Sequence, residues 1–371
     1  MSDSTDTQTD LQYSEVEQEL RVNVRALLAA RAPQSATLAR TESEQPVDTA
    51  LWRALADELG VTGLAVPEKW GGAGASWRET AVVLEELGRA AAPVPYLGSA
   101  VLTTAALLAA EDTELLPRVA SGELVAALAV PFATAPRSPF PSSVRQQADG
   151  LLHGTVRLVA DARTAGALLV PALDQDGQPG LHVVTDFTAT PVVSLDMTRP
   201  LADLTLDGAA GRRIAAGDGA VAALEAALAT GAALLASEQL GVAEWALETT
   251  TAYVKERHQF GRPVGSFQAV KHRLADLWVS VAQLRAVARS AAGAAAAGSA
   301  DLPVSAALAQ AFASQVAVVA AEEAVQLHGG IGFTWEHPAH LYLKRAKSAS
   351  IALGTADRHR AALAQLVGLT L

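Results

Sequence analysis

Two long runs of small, uncharged residues, 220–236 and 282–300, constrain this chain more than any other feature. Alanine is the strongest helix former and carries almost no side chain, so such runs make helices that pack closely against their neighbours. They do not read as membrane spans. Glu225 and Glu238 mark the first and Arg285 and Arg289 the second, and alanine is too weakly apolar to hold a span of about 20 residues in lipid. The chain has 371 residues, 50% hydrophobic and only 5% aromatic, which predicts a large core, two or three domains and a helical majority. It contains no cysteine, so disulfides, thiolate metal sites, iron–sulfur clusters and cysteine nucleophiles are excluded together. With 28 basic and 39 acidic residues the formal charge is -11. A nucleic-acid partner would lack its usual electrostatic attraction, and any phosphate binding must be local. Residues 1–10 are polar and acidic, without the basic start and apolar run of an export signal, and a cytoplasmic location with no membrane partner is expected.

Apolar residues recur at helical spacing from Leu11 to Arg118, as in Leu51, Leu55 and Leu59. Pro67 with Gly71, Gly72 and Gly74 breaks the pattern, as do Pro93 and Pro95. The glycine-rich break lacks a preceding strand and a P-loop Lys-Ser/Thr pair, so it reads as a turn. From about Leu124 short apolar runs separated by Pro, Gly and Asp predict strands near 125–130, 151–159, 167–170, 181–184 and 201–206. Helices return over 218–256, 266–298, 304–328, 338–351 and 356–367. The fold class is α+β: an N-terminal helical domain (1–122), a middle β domain (123–211) and a C-terminal four-helix-bundle domain (212–371).

Two segments carry chemistry. Arg257, Gln259, Phe260 and Gly261 fall in a break between two long helices, followed by Phe267; an arginine there can pair with a pyrophosphate, and glycine lets a backbone approach a ligand. Gln326, Gly329, Gly330 and Gly332 break a later helix in the same manner. Taken singly, each also reads as a plain interhelical turn with a solvated arginine and a glycine cap.

Together, and in this domain order, they resemble the acyl-CoA dehydrogenase family of flavoproteins over nearly the whole chain. Residues 66–76, 148–172 and 336–355 resemble that family's N-terminal domain, middle-domain hairpin and final helices. The resemblance implies FAD as cofactor. In the family the Arg-x-Gln-Phe-Gly and Gln-x-x-Gly-Gly motifs hold the FAD of a neighbouring subunit; carried over, Arg257, Gln259, Phe260 and Gly261 would meet its pyrophosphate and adenine side, with Gln326, Gly329 and Gly330 beside them and Phe267 near the adenine.

The family reaction needs a carboxylate to take the α-proton of an acyl thioester while hydride leaves the β-carbon. Here the sequence departs from the pattern. Leu353 stands where the usual glutamate would be, and the alternative upstream position is Gly231. The family's Asp-x-x-Arg pair falls near Ala229 and Ala232, its Thr-Glu-Pro segment on 130–141, and its Trp-Ile-Thr on Leu158, Val159 and Ala160. No catalytic residue is therefore assigned. The chain resembles the shorter, base-lacking partner subunits of α2β2 acyl-CoA dehydrogenases, including those acting on bulky steroid side-chain thioesters. That resemblance implies a catalytic paralogue as partner, an acyl-CoA substrate, an electron-transfer flavoprotein as acceptor, and a chain that closes over the diphosphate and leaves a roomier cavity. The alternatives are a flavin monooxygenase of the same superfamily and a flavin-free structural paralogue.

Of the other polar residues, His337 and His340 have no third ligand for a metal, and His258 and His272 read as surface or interface residues. Glu244 and Glu248, one turn apart, read as a solvated helix face, with relocated bases as the alternative, and Glu322 and Glu323 as the polar side of the helix before Gln326.

Overall fold

The computed structural model describes residues 11–369, so the acidic segment 1–10 lies outside it. The first unit is helical: α1 (Glu15–Arg31), α2 (Gln34–Thr41), α3 (Thr49–Asp57), α4 (Trp77–Arg89), a wide π-type segment at Tyr96–Thr103, α5 (Thr104–Ala109) and α6 (Leu116–Ala120). Two of these helices start on capping boxes, in which Ser14 and Ser76 satisfy first-turn N–H groups while Glu17 and Glu79 bond back to the cap. The glycine-rich break is a turn: Gly71 and Gly74 have left-handed φ of 83° and 63°, and a side chain on Gly72 would overlap the Val66 carbonyl.

The middle unit is one mixed sheet. Its strands are β1 (Ala126–Leu128), β2 (Val144–Gln146), β3 (Leu152–Ala160), β4 (Ala167–Leu173), β5 (Pro179–Val184), β6 (Thr188–Val192), β7 (Leu201–Ala209) and β8 (Gly211–Ala216). They run in the order β6-β7-β3-β2-β4-β5-β8, with β1 beside β4. The five expected strands are present. The sheet also contains β2, β6 and β8, and β8 pairs with β5 through Ala216, so the sheet runs past the expected boundary at 211.

The last unit contains α7 (Asp218–Glu256), the short hairpin β9 (His258–Gln259) and β10 (Arg262–Pro263), α8 (Gln268–Ala296), α9 (Leu302–His328), α10 (Ala339–Ala349) and α11 (Ala356–Leu366). Its axis is α7, 39 residues long and buried almost all round from Ala227 to Ala246, as expected of a helix with little polar face. Among the described residues, two helical spans, Asp218–Glu256 and Leu302–Phe333, are long and apolar enough to cross a membrane. Their apolar windows are 72% and 61% buried inside the protein, and the 282–300 run is not among them.

Small residues set how near α4 comes to α7. A Cβ on Gly88 would overlap the Glu238 carbonyl, and one on Gly241 would overlap the Glu85 carbonyl. Charged residues then seal the outer side of this crossing. Glu17 on α1 bonds Arg78 at 2.9 Å and Arg289 of α8 at 2.6 Å. Glu86 takes Arg21 and Arg25 at 3.0 and 2.6 Å. Glu244, expected on a solvated face, is buried and paired with Arg21 and Arg285; neighbouring helices pack over it, and it is paired because a lone buried carboxylate is too costly. Glu248 is exposed and pairs with Arg89.

The crossing makes Gly241→Ala a stability test. The added methyl should cost about 2 kcal/mol, read as a lower urea midpoint at unchanged m-value. Gly219→Ala, with open space around it in the first turn of the same helix, should instead gain about 0.5–1 kcal/mol.

Candidate functional site

Helix α7 ends when Arg257 turns extended, at φ -72° and ψ 121°. The next residues make a two-residue hairpin in which Gln259 faces Arg262. Phe260 and Gly261 at its tip have φ of 55° and 76°, the pair of left-handed residues that a tight hairpin of this kind demands. Glycine accepts this freely; phenylalanine does so at about 1 kcal/mol. The Val264 N–H closes the turn on the Arg257 carbonyl at 2.7 Å. Arg257, Gln259, Phe260 and Gly261 are all exposed, Phe260 with 90% of its surface. Phe267 is half-buried beneath the Arg262 guanidinium, 3.8 Å above its ring, with Phe260 edge-on at 6.2 Å. Arg257 makes no ion pair among the described residues. Lys255, Arg262, Lys271 and Arg273 stand in the same stretch of sequence, basic on balance despite Glu256 and Asp276, and Arg273 is paired with Glu323.

The other motif closes α9. Gln326 is exposed, and Gly329 leaves the helix at φ 64° and ψ -140°. The three glycines here differ in what they do for the fold. Gly332 is needed by packing, since a Cβ on it would press into the Val325 carbonyl. Gly329 is needed by its φ. Gly330 has neither reason: its φ is ordinary, and a Cβ on it would meet nothing within 4 Å. Both motifs sit at one end of the bundle, because the Tyr253 ring of α7 stacks on the His328 ring of α9 at 4.5 Å. An unpaired guanidinium, an open glycine backbone and a glutamine amide facing solvent are a donor set that fits the diphosphate of a dinucleotide cofactor.

The two expected base positions, far apart in sequence, meet in space. A Cβ on Gly231 would lie 3.1 Å from Leu353 Cδ1 and would overlap the end of Leu102. Leu353 is fully buried at φ 52°, and its N–H donates to the Phe132 carbonyl at 2.8 Å. The Phe132 N–H in turn donates at 3.0 Å to the Leu158 carbonyl, in the bulged part of β3. Ala229 and Ala232 are buried. Two leucine side chains, Leu102 and Leu353, thus pack where the two expected base positions meet. A cleft of about 400 Å³ lies beside Ala229, between the 135–139 loop, the start of α9 and α11, with Arg137, Arg358 and His359 on its walls and no carboxylate in its lining. Around Leu353 itself the described side chains are packed.

Next to this region the three units are tied by buried charge. Glu238 of α7 binds Arg199, from the loop before β7, at 2.5 Å and Arg345 of α10 at 3.0 Å. Arg345 also donates to Thr198 at 2.8 Å and to the Ala92 carbonyl of the first unit at 3.4 Å. Burial works against the Glu238 charge, but the two guanidiniums overcome it and hold the carboxyl down at about 2. Asp161, after β3, accepts from the Gly98 N–H at 3.1 Å. Burial pushes its carboxyl up to about 6, against the pull of Arg199 and Arg345.

The remaining polar residues act locally. His337 packs 4.4 Å from His328, and His340 lies edge-on to Trp335. No group of three His, Cys, Asp or Glu suited to a metal occurs among the described residues. Glu322 pairs with Lys347 and Glu323 with Arg273. Sequence reasoning misses His328, Tyr253, Leu102 and Phe132; His328 alone has a local signal, its place inside the Gln-x-x-Gly-Gly motif.

Comparison with known proteins agrees along the chain. The family model described as acyl-CoA dehydrogenase, C-terminal domain, matches residues 217–368, and that for the N-terminal domain matches 14–123. Acyl-CoA dehydrogenase IpdE2 of Mycobacterium tuberculosis is 38% identical over 337 residues, 91% of this chain and 92% of that protein. Among solved structures, a chain of the ChsE4-ChsE5 complex from Mycobacterium tuberculosis superposes with TM-score 0.86 at 30% identity, covering 98% of this chain and 100% of that one. A chain of a Tcur3481-Tcur3483 steroid ACAD variant does so with TM-score 0.84 at 33% identity, covering 95% and 98%.

The buried junction gives a pH signature. Asp161 has a folded value raised above its ordinary one, so its contribution is full below about pH 4 and is lost as pH rises through about 6. Asp161→Asn should therefore gain stability relative to the parent, by on the order of 2 kcal/mol, as pH goes from about 4 to about 7. Urea midpoints of both proteins across that range check it; a constant difference would contradict the raised value.

Proposed function

The chain belongs to the acyl-CoA dehydrogenase family, and from that premise we propose that it is the non-catalytic subunit of a heteromeric acyl-CoA dehydrogenase, holding the FAD of a catalytic paralogue by its diphosphate. The single observation that carries this reading is Gly330. Its backbone is left bare where neither its own φ nor any neighbour in the chain requires it, and it stands at the same end of the bundle as Arg257, unpaired among the described residues. A backbone kept open beside a free guanidinium suits an anionic group arriving from outside the chain.

FAD held at this site would supply the hydride acceptor for α,β-dehydrogenation of an acyl-CoA. This chain's residues bind and orient. Arg257 supplies a charge-assisted bond to the diphosphate, Gln259 and Gln326 supply amide groups, Gly329 and Gly330 allow close approach, and Phe260 and Phe267 offer flat apolar surface beside the adenine. The proton must go to a base on the partner, because Leu353 and Gly231 have no group to receive it and Leu102 fills the space between them. Phe260, Phe333, Trp335 and Trp278 are exposed in the segments around this end of the bundle, apolar surface of the kind a partner subunit covers. The names of the two structural relatives, one a two-component complex and the other a steroid ACAD, support a paralogue as partner and a bulky acyl thioester as substrate. Electrons would then pass to an electron-transfer flavoprotein.

Co-expression with a family paralogue and measurement of bound flavin tests the proposal. The complex should be yellow and active, and this chain alone should be neither; a solo chain with stoichiometric FAD and dehydrogenase activity would sink it. In the complex, Arg257→Ala should weaken FAD retention by roughly thirtyfold, the loss of one charge-assisted bond of about 2 kcal/mol. Leu353→Glu in the isolated chain should leave it inactive, since Ala229, Ala232 and Ala160 stand where the resemblance implies the other polar contacts of the site.

A further inference from the structure

The motif residues do not hold themselves in place. Behind them, the buried His328 ring lies against the Tyr253 ring, centroids 4.5 Å apart and tilted by 27°. Its Nδ1 faces the Ala324 carbonyl at 2.6 Å; a carbonyl can only accept, so that nitrogen carries the proton and the ring is fixed in orientation as well as position. Tyr253 lies one helical turn before Arg257, and its carbonyl accepts the Arg257 N–H at 2.9 Å. His328 directly precedes Gly329. On its other side the ring meets His337 at 4.4 Å, and Gly332 folds back so closely that a Cβ on it would come 3.1 Å from the His328 Cβ. One imidazole is thus gripped by the end of α7, the end of α9 and the segment leading into α10.

We propose that His328 is a positioning residue: wedged between Tyr253 and His337, it sets the Gly329–Gly330 turn at the spacing from Arg257 that a bridging diphosphate needs. This deepens the reading of the two turns as a flavin site and rests on it. His328 touches no cofactor; it acts through the backbone that follows it.

A consequence in pH follows from the neighbours. Burial holds the His328 imidazole below its ordinary value, and His337 is held down by burial and then by His328 and His340. The groups facing the pair are Tyr253 from α7 and His340 from α10, with Lys344 and Glu42 beyond His340. The neutral ring is the one the packed turn accepts. Its contribution is therefore full above the ordinary imidazole value of about 6.5 and is lost as pH falls below it.

The test uses the co-purified complex and two variants, His328→Ala and His328→Phe, with two readouts: amide exchange of residues 329–333 and FAD retained after desalting at about pH 8 and about pH 5.5. The parent should lose FAD at the lower pH. His328→Ala should exchange faster and retain FAD about tenfold more weakly at both values. His328→Phe keeps a flat ring without a titrating proton, so it should restore retention at the higher pH and reduce the pH dependence to what His337 and His340 carry. Should His328→Ala not fold, an undiminished pH dependence in His328→Phe overturns the proposal. A His328→Ala complex that holds FAD like the parent, while Arg257→Ala still sheds it, overturns the positioning role and leaves the flavin site standing. If Arg257→Ala also holds FAD, the flavin site itself is wrong and the positioning role falls with it.

Discussion

The near contact of α4 with α7 at Gly88 and Gly241 decides where the rest of the molecule goes. Once two backbones approach to the point where a single Cβ would overlap a carbonyl, neither helix can slide or rotate without a clash, because packed interiors have no spare volume. Glu238 is then carried to a point where the sheet's Arg199 and the bundle's Arg345 both reach it. Glu244 follows Gly241 by less than one turn of α7 and is carried under Arg21 and Arg285. Buried charges are tolerated only when paired, and breaking one pair leaves its partner stranded. The three units are therefore locked to one another around α7, and the far ends of α7 and α9 project from a rigid frame.

Much of this frame is legible in the sequence. The five C-terminal helices lie within a few residues of their expected spans, because alanine runs and glycine or proline stops are local signals. Three strands are not legible, each for a physical reason. β2 is three residues long, β6 contains Pro191 and lies at the sheet edge, and β8 carries Arg212 and Arg213 on a largely unburied face, so none shows a clean apolar alternation. At the candidate site, the residues meant to face a ligand are legible as motifs. What lies behind them is not: the stack of His328 on Tyr253 and the insertion of Leu102 beside Gly231 join residues distant in the chain, and no period or spacing encodes them.

The contrast between the two regions has a physical asymmetry. At the expected base and Asp-x-x-Arg positions the side chains are packed: Leu353, Ala229 and Ala232 are buried, and burying apolar surface stabilises the chain by itself. The region near Arg257 does the opposite. Phe260 holds a left-handed backbone and is 90% exposed, and Phe333 and Trp335 are 77% and 63% exposed. Of these, Phe260 costs the isolated chain about 1 kcal/mol in backbone strain, set against an edge-on contact with Phe267. Gly330 adds the entropy cost of a bare backbone without a packing need. The first region is explained by packing within this chain; at the second, the proposed flavin diphosphate and partner subunit would supply the charge for Arg257 and the cover for the aromatic rings.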